Sequence, residues 1–150
     1  RPDMAPMLFA DAILNHRPIK VFNHGQMKRD FTYIDDIVEG VVRTAMKPAT
    51  SDTDFEAKAL DSASSKAPFR VFNIGNGQPV PLMDFINALE VALGRTAEKE
   101  FMGMQPGDVT ETYADTQRLR DWVGYRPKTD IHTGVSLFVD WCLANYYHEQ

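Results

Sequence analysis

One cysteine, Cys142, in 150 residues excludes an internal disulfide and any zinc site built from several cysteines. No apolar run comes near the roughly 20 residues of a membrane-spanning helix. The opening Arg1-Pro2-Asp3-Met4 has no apolar core after its charge, so nothing there reads as a signal peptide. Basic charge is in deficit: 16 Lys and Arg stand against 21 Asp and Glu, a net charge of −5. That balance argues against nucleic-acid partners, which need a basic face, but leaves room for a local basic pocket holding a small anion. The four histidines, His16, His24, His132 and His148, are scattered with no His-x-x-x-His pair and read as surface or helix-end residues, so no metal site is expected. No Gly-x-Gly-x-x-Gly, Gly-x-x-Gly-x-x-Gly or Walker loop occurs, so the chain carries no dinucleotide fingerprint of its own.

What is present is an ordinary globular composition, 43% hydrophobic and 25% charged, in a length that suits one domain or one lobe of a larger protein. The chain begins with Arg rather than Met, in what reads as a loop entering a helix, and is expected to be a piece of something longer. Asp3 is placed as the N-cap of a helix carrying Met7, Leu8, Ile13 and Leu14, which should stop before Pro18. Ile19-Lys20-Val21-Phe22 alternates like a short strand, Asn23-His24-Gly25-Gln26 reads as a turn, and Arg29 to Ile34 as a second extended piece. Asp36 followed by Glu39 resembles a capping box opening a helix to Met46, with Val38, Val41, Val42 and Ala45 as its apolar face. Ala49 to Pro68 is poor in large apolar groups and is expected to be a long mobile loop. Phe69 to Gly75 reads as a strand buried on at least one face.

A helix from about Pro81 to Leu93 has Leu82, Phe85, Ile86, Leu89 and Leu93 on one stripe, with Gly94 as its C-cap. Glu100-Phe101-Met102 is a short strand and Gln105-Pro106-Gly107-Asp108 a turn. Asp115 caps a helix through Leu119, Trp122 and Val123, closed by Gly124. A last helix starts near Thr133 and buries Val135, Phe138, Val139 and Cys142, which makes Cys142 a buried small hydrophobe rather than a nucleophile. Asp35, Asp36 and Glu39 are better read as a helix start than as general acids, because carboxylates in a first turn favour the helix dipole.

The stretch from Ile19 to Asp36 holds the chemistry. An aromatic on a strand, a tight turn and an Arg one hairpin later could stack a base and grip a phosphate. Taken by themselves, these residues fit the plainer reading of a strand, a turn and a solvated Lys28-Arg29 at least as well.

The run K-R-D-F-T-Y-I-D-D-I-V-E-G closely resembles the C-terminal half of extended short-chain dehydrogenase/reductases that act on nucleotide sugars. R-P-D-M-A, V-F-N-I-G-N-G, Q-P-G-D-V and T-Y-A-D are similar to one branch, the UDP-glucuronate 4-epimerases, in order and spacing from Arg1 to about Tyr147. The resemblance implies an α/β fold: the C-terminal lobe of such an enzyme, several helices with short strands, with the Rossmann core largely missing. Residues 1–150 would then be a nucleotide-sugar-binding lobe, with the N-terminal dinucleotide-binding domain absent.

The resemblance also implies roles. Phe22 would stack on the uracil ring and the backbone near Lys20 would read the base edge. Arg29 would grip the diphosphate, which a planar guanidinium can bond at two oxygens at once. Backbone N–H groups near Met4 and Ala5 would face the same phosphates. Asp108 would accept from ribose hydroxyls. Arg1 would hold the C5 carboxylate of the sugar, against a plain reading as an exposed terminal residue. Many relatives have Arg where this chain has Gln105; Gln cannot ion-pair with phosphate, so more of the load should fall on Arg29. Tyr33 and Tyr113 lie in no Tyr-x-x-x-Lys pattern, so no catalytic residue is expected here.

The implied whole enzyme is a cytoplasmic isomerase of polysaccharide biosynthesis, expected as a homodimer. It would bind NAD in the missing domain and interconvert UDP-glucuronate and UDP-galacturonate at C4 through a 4-keto sugar. The fragment alone is expected to be inactive. Two alternatives stay open: the lobe of a nucleotide-sugar 4,6-dehydratase or UDP-glucuronate decarboxylase, and, in another class, a free-standing nucleotide-binding or interaction module.

Overall fold

The computed structural model describes residues 2–55 and 61–147. In chain order its elements are α1 (Ala5–Leu14), β1 (Ile19–Val21), a 3-10 turn (Phe22–Gly25), β2 (Lys28–Arg29), α2 (Ile34–Met46), β3 (Val80–Pro81), α3 (Leu82–Leu93), β4 (Lys99–Phe101), α4 (Gln117–Val123) and α5 (Ile131–Tyr146). This mixed set of helices and short strands is the expected α/β class. The chain divides into two compact units, one of Arg1–Phe31, Gln78–Thr112 and Thr129–Gln150, the other of Thr32–Gly77 and Tyr113–Lys128.

The first unit is built on α3. Leu82, Phe85, Ile86 and Leu89 recur at helical spacing and are all buried, each contributing about 1.5–3 kcal/mol against exposure. Gly94 ends the helix at φ 63°, where Gly94 N–H donates to Val91 O and Arg95 N–H to Glu90 O. Phe9, Ala12 and Ile13 of α1 and Val135 and Val139 of α5 close on this stripe. Asp130 caps α5 by accepting from His132 N and Thr133 N, so the helix starts two residues before Thr133. Cys142 lies buried, 3.6 Å from the Met7 sulfur, and burial pushes its thiol pKa up, which fits the hydrophobe reading.

The expected cap of α1 is corrected: Met4, not Asp3, is the N-cap, and no side chain caps it. An Asp3 cap would serve the N–H two or three residues into the helix, and the third of those positions is Pro6, which has none. Strand β1 also stops at Val21, because Phe22 opens a turn in which Asn23 and His24 take left-handed φ values of 49°. The second extended piece shrinks to Lys28–Arg29, with α2 starting already at Ile34.

In the second unit α2 packs on α4 through Gly40, where an added Cβ would lie 3.6 Å from Ile74 and 3.7 Å from Leu119. The capping box is corrected. Tyr33 is the N-cap, and the buried Asp36 carboxylate instead accepts from Tyr125 Oη at 2.8 Å and Lys128 N at 3.3 Å. Glu39 pairs with Arg43 one turn on. Asp35 and Asp36 do stand in the first turn, where the dipole favours acids. The expected apolar face is corrected: Val38 and Val41 are each 51% exposed, Val42 and Ala45 are exposed too, and α2 buries Asp36 and Gly40 instead.

The strand expected at Phe69 to Gly75 does not form among the described residues. Arg70 makes one isolated bridge to Ser64, and Val71 N–H donates to Ala63 O. An extended segment becomes a strand only beside a partner that takes its N–H and C=O groups, and no such ladder is present among the described residues of this unit. Side chains hold the segment instead: Arg70 pairs with Asp52, Asn73 Nδ2 donates to Asp115 O, and Phe72 lies against Trp122. The described parts of Ala49 to Pro68 follow turns and are tied by charge, through Asp52 to Arg70 and Asp61 to Arg118. Residues 56–60, in the middle of the expected loop, lie outside the described residues. No helix among the described residues is long and apolar enough to cross a membrane.

Candidate nucleotide-binding site

Strand β1 pairs in parallel with β4, in the register Ile19↔Lys99, Lys20↔Glu100 and Val21↔Phe101. Ile19 N–H donates to Glu98 O at 2.8 Å, and Val21 O accepts from Met102 N–H at 2.9 Å. A parallel ladder uses alternate residues of a strand, so the N–H and C=O of Lys20 point to the opposite, open edge of β1. One donor and one acceptor there are what reading a base edge requires. Ile19 and Val21 are buried while Lys20 is exposed, so the core fixes the register of this edge.

Phe22 follows directly. It is half-buried and packs against the rim of the core, so part of its ring is covered and part is free. The next three residues turn the chain sharply, Gly25 at φ 78° with Met83 pressed against it: a Cβ at Gly25 would stand 2.8 Å from the Met83 sulfur. His24 N–H donates to Met102 O, which binds this turn to the residue after β4.

Arg29 lies on β2, whose partner on one side is β3, Lys28↔Pro81 and Arg29↔Val80. On the other side lies a segment that the sequence reasoning missed. Lys28 N–H donates to Thr110 O, Thr112 N–H to Lys28 O, and Asp30 N–H to the Thr112 hydroxyl. This pairing brings the turn at Gln105 to Asp108 beside Arg29, 79 residues apart in sequence. Arg29 Nη2 donates to Asp108 Oδ1 at 2.8 Å and Nη1 to Lys28 O at 2.8 Å. Asp108 Oδ1 also accepts from Val109 N at 2.8 Å. The pair is a quarter to a third exposed, open enough to meet a ligand. Gln105 forms the turn by accepting from Asp108 N–H through its carbonyl, and Gly107 sits at φ 83°.

Met4 and Ala5 belong to another element, the start of α1. Met4 is half exposed and its carbonyl accepts from Leu8 N–H. With Pro6 lacking an N–H, the donors of the first turn are those of Ala5 and Met7. Arg1 lies outside the described residues. The seven remaining expected positions all stand in the first unit, on β1, the 3-10 turn, β2, the 105–108 turn and the head of α1. Arg29 and Asp108 are in direct contact. Among the described residues no group of three or more His, Cys, Asp or Glu could hold a metal ion.

The profile of the NAD dependent epimerase/dehydratase family matches residues 2–75. The chain is 49% identical over 146 residues to Protein CapI of Staphylococcus aureus, covering 97% of this chain and 44% of that protein. It is 46% identical over 147 residues to a probable UDP-glucuronate 4-epimerase of Rhizobium meliloti, covering 97% and 43%. Among solved structures it is similar to UDP-glucuronic acid 4-epimerase from Bacillus cereus in complex with UDP-glucuronic acid and NAD, at 29% identity and TM-score 0.76, covering 97% of this chain and 41% of that one. The chain thus spans somewhat over two fifths of the length of these relatives. It belongs to the NAD dependent epimerase/dehydratase family.

Proposed function

We propose that this chain is the substrate-binding, C-terminal lobe of an NAD-dependent epimerase that interconverts UDP-glucuronate and UDP-galacturonate at C4. The observation that carries the reading is the similarity along 97% of the chain to a probable UDP-glucuronate 4-epimerase. The open edge at Lys20, the half-covered Phe22 and the accessible Arg29 support it with the parts a uridine diphosphate needs: a backbone donor and acceptor, an aromatic face and a guanidinium.

The residues of this chain do not fit NAD. No glycine loop follows a strand, and no Tyr-x-x-x-Lys pair is present, so the cofactor and the reacting groups are assigned to the part of the relatives' length that this chain does not cover. The chain's own work is binding. Phe22 stacks the uracil while Lys20 bonds its edge. Arg29, with the N–H groups of Ala5 and Met7, holds the diphosphate, and Asp108 accepts from the ribose. Arg1 pairs with the sugar carboxylate. Gripping the nucleotide at a distance from C4 lets the sugar turn within its pocket without leaving the enzyme. The working enzyme is a dimer in the cytoplasm, and the lobe alone is inactive.

The test is turnover of the full-length protein with UDP-glucuronate, followed by NMR of the sugar. UDP-galacturonate with no carbon dioxide supports the proposal. Release of carbon dioxide with a pentose product makes the protein a decarboxylase, and no turnover with binding retained makes it a binding module.

A further inference from the structure

The contact between Arg29 and Asp108 sets two expected roles against each other. A carboxylate 2.8 Å from a phosphate-binding guanidinium lowers the local positive potential, which by itself weakens the grip on a dianion. Nor does the pair add much to folding, since a partly exposed ion pair is screened by solvent and contributes little. Its geometry serves something else. Arg29 is held at both ends of its fork, Nη1 by the Lys28 carbonyl and Nη2 by Asp108 Oδ1. A guanidinium carries five N–H donors. Two are used here, so three remain for a ligand, on a group whose plane is already fixed. Asp108 is fixed in turn: its Oδ1 takes Val109 N–H, and the pairing of Lys28 with 110–112 sets the backbone beneath it.

We propose that Asp108 is a positioning residue for Arg29, which orients the guanidinium toward the diphosphate before the nucleotide arrives, while its second oxygen, Oδ2, is the one that meets the ribose. This rests on the assignment of Arg29 to the diphosphate made above. A long side chain loses rotamer freedom when it is immobilised by a ligand, and holding it beforehand removes that loss from binding. One carboxylate then serves two neighbouring parts of the nucleotide, with its two oxygens divided between them. The absence of an Arg at Gln105 makes this more consequential, because one guanidinium carries the load.

The experiment is isothermal titration of the full-length protein with UDP and, separately, with uridine, which has the base and ribose but no phosphate. Asp108→Ala is expected to weaken UDP about tenfold more than uridine, the scale of one charge-assisted hydrogen bond. In an Arg29→Ala background the same substitution should show no such UDP-specific loss. Asp108→Asn keeps an oxygen that accepts from Arg29 and Val109, and should retain UDP binding within about threefold. Equal losses for UDP and uridine in Asp108→Ala would reduce Asp108 to a ribose contact and overturn the proposal. Tighter UDP binding in either variant would also overturn it, showing that Asp108 only neutralises the cation. If Arg29→Ala alone leaves UDP affinity unchanged, the diphosphate assignment itself fails, and that result is separate from the behaviour of Asp108. Asp108→Asn, being isosteric, decides the matter where Asp108→Ala does not fold.

Discussion

Tyr125→Phe removes one oxygen from the interior of the second unit. Tyr125 is 7% exposed, and its hydroxyl donates to Asp36 Oδ1 at 2.8 Å and lies 3.1 Å from the Asp36 carbonyl. A hydrogen bond to a charged group contributes about 1.5–3 kcal/mol, and its loss here leaves a buried carboxylate with one donor fewer. The same surroundings make this stability depend on pH at the alkaline end. Burial, then the hydrogen bond to Asp36 and its negative charge, push the Tyr125 pKa from 10.0 to about 12. The folded pKa lies above the unfolded one, so the neutral phenol is favoured in the fold. The contribution is full below pH 10 and is lost as pH rises from 10 through about 12.

The expected result is a urea midpoint lowered by an amount equal to about 2–3 kcal/mol at pH 8, with an unchanged slope. The wild type should also lose more stability than the variant between pH 10 and 12. Trp122 on α4 lies in the same unit and reports the transition by fluorescence once Trp141, on the half-exposed face of α5, is replaced by Phe. A midpoint shifted by only a few tenths of a kcal/mol, or parallel alkaline losses in both proteins, would refute the reasoning. It would show that solvent replaces the hydroxyl at Asp36 without cost.

Gly25→Ala combines a positive φ with a Cβ 2.8 Å from the Met83 sulfur, and should lower stability by about 1–3 kcal/mol in thermal melting; Gly94→Ala, at φ 63° with open space, should cost less. Asp130→Ala removes the cap of α5 and should lower the melting temperature at pH 7. Because its bonds to Thr133 and His132 hold the Asp130 pKa below the model-peptide value, wild type and variant should converge as pH falls through that lowered pKa. Ile34, Val38, Val41 and Met46 of α2 stand open, and Phe69–Ile74 makes one isolated bridge but no strand ladder among the described residues, so this chain expressed alone should self-associate in light scattering at high concentration; a monomer there would show these faces to be covered.

Periodicity and end signals determined much of the local structure. The stripe Leu82, Phe85, Ile86, Leu89 with Gly94 behind it, and Val135, Val139, Cys142 in the last helix, are legible because a helix repeats its face within a few residues. Turns at Asn23–Gln26 and Gln105–Asp108 were equally legible, since only a few residue types take positive φ readily. The order of motifs along the chain carries the family resemblance by itself. Caps were read less well. An Asp before an apolar run has no local reason to cap rather than to turn inward, and Asp36 found Tyr125, 89 residues away. The same limit governs the strand expected at Phe69–Ile74: side-chain pattern shows that a segment can extend, while a ladder needs a partner that sequence does not name. What only the tertiary structure decided is the site itself. Arg29 and Asp108 were each singled out by resemblance, but their contact depends on Thr110 to Thr112 lying along β2, a non-local backbone pairing. A hydrogen-bond register between distant segments is set by the core beneath both, and no spacing along the chain records it.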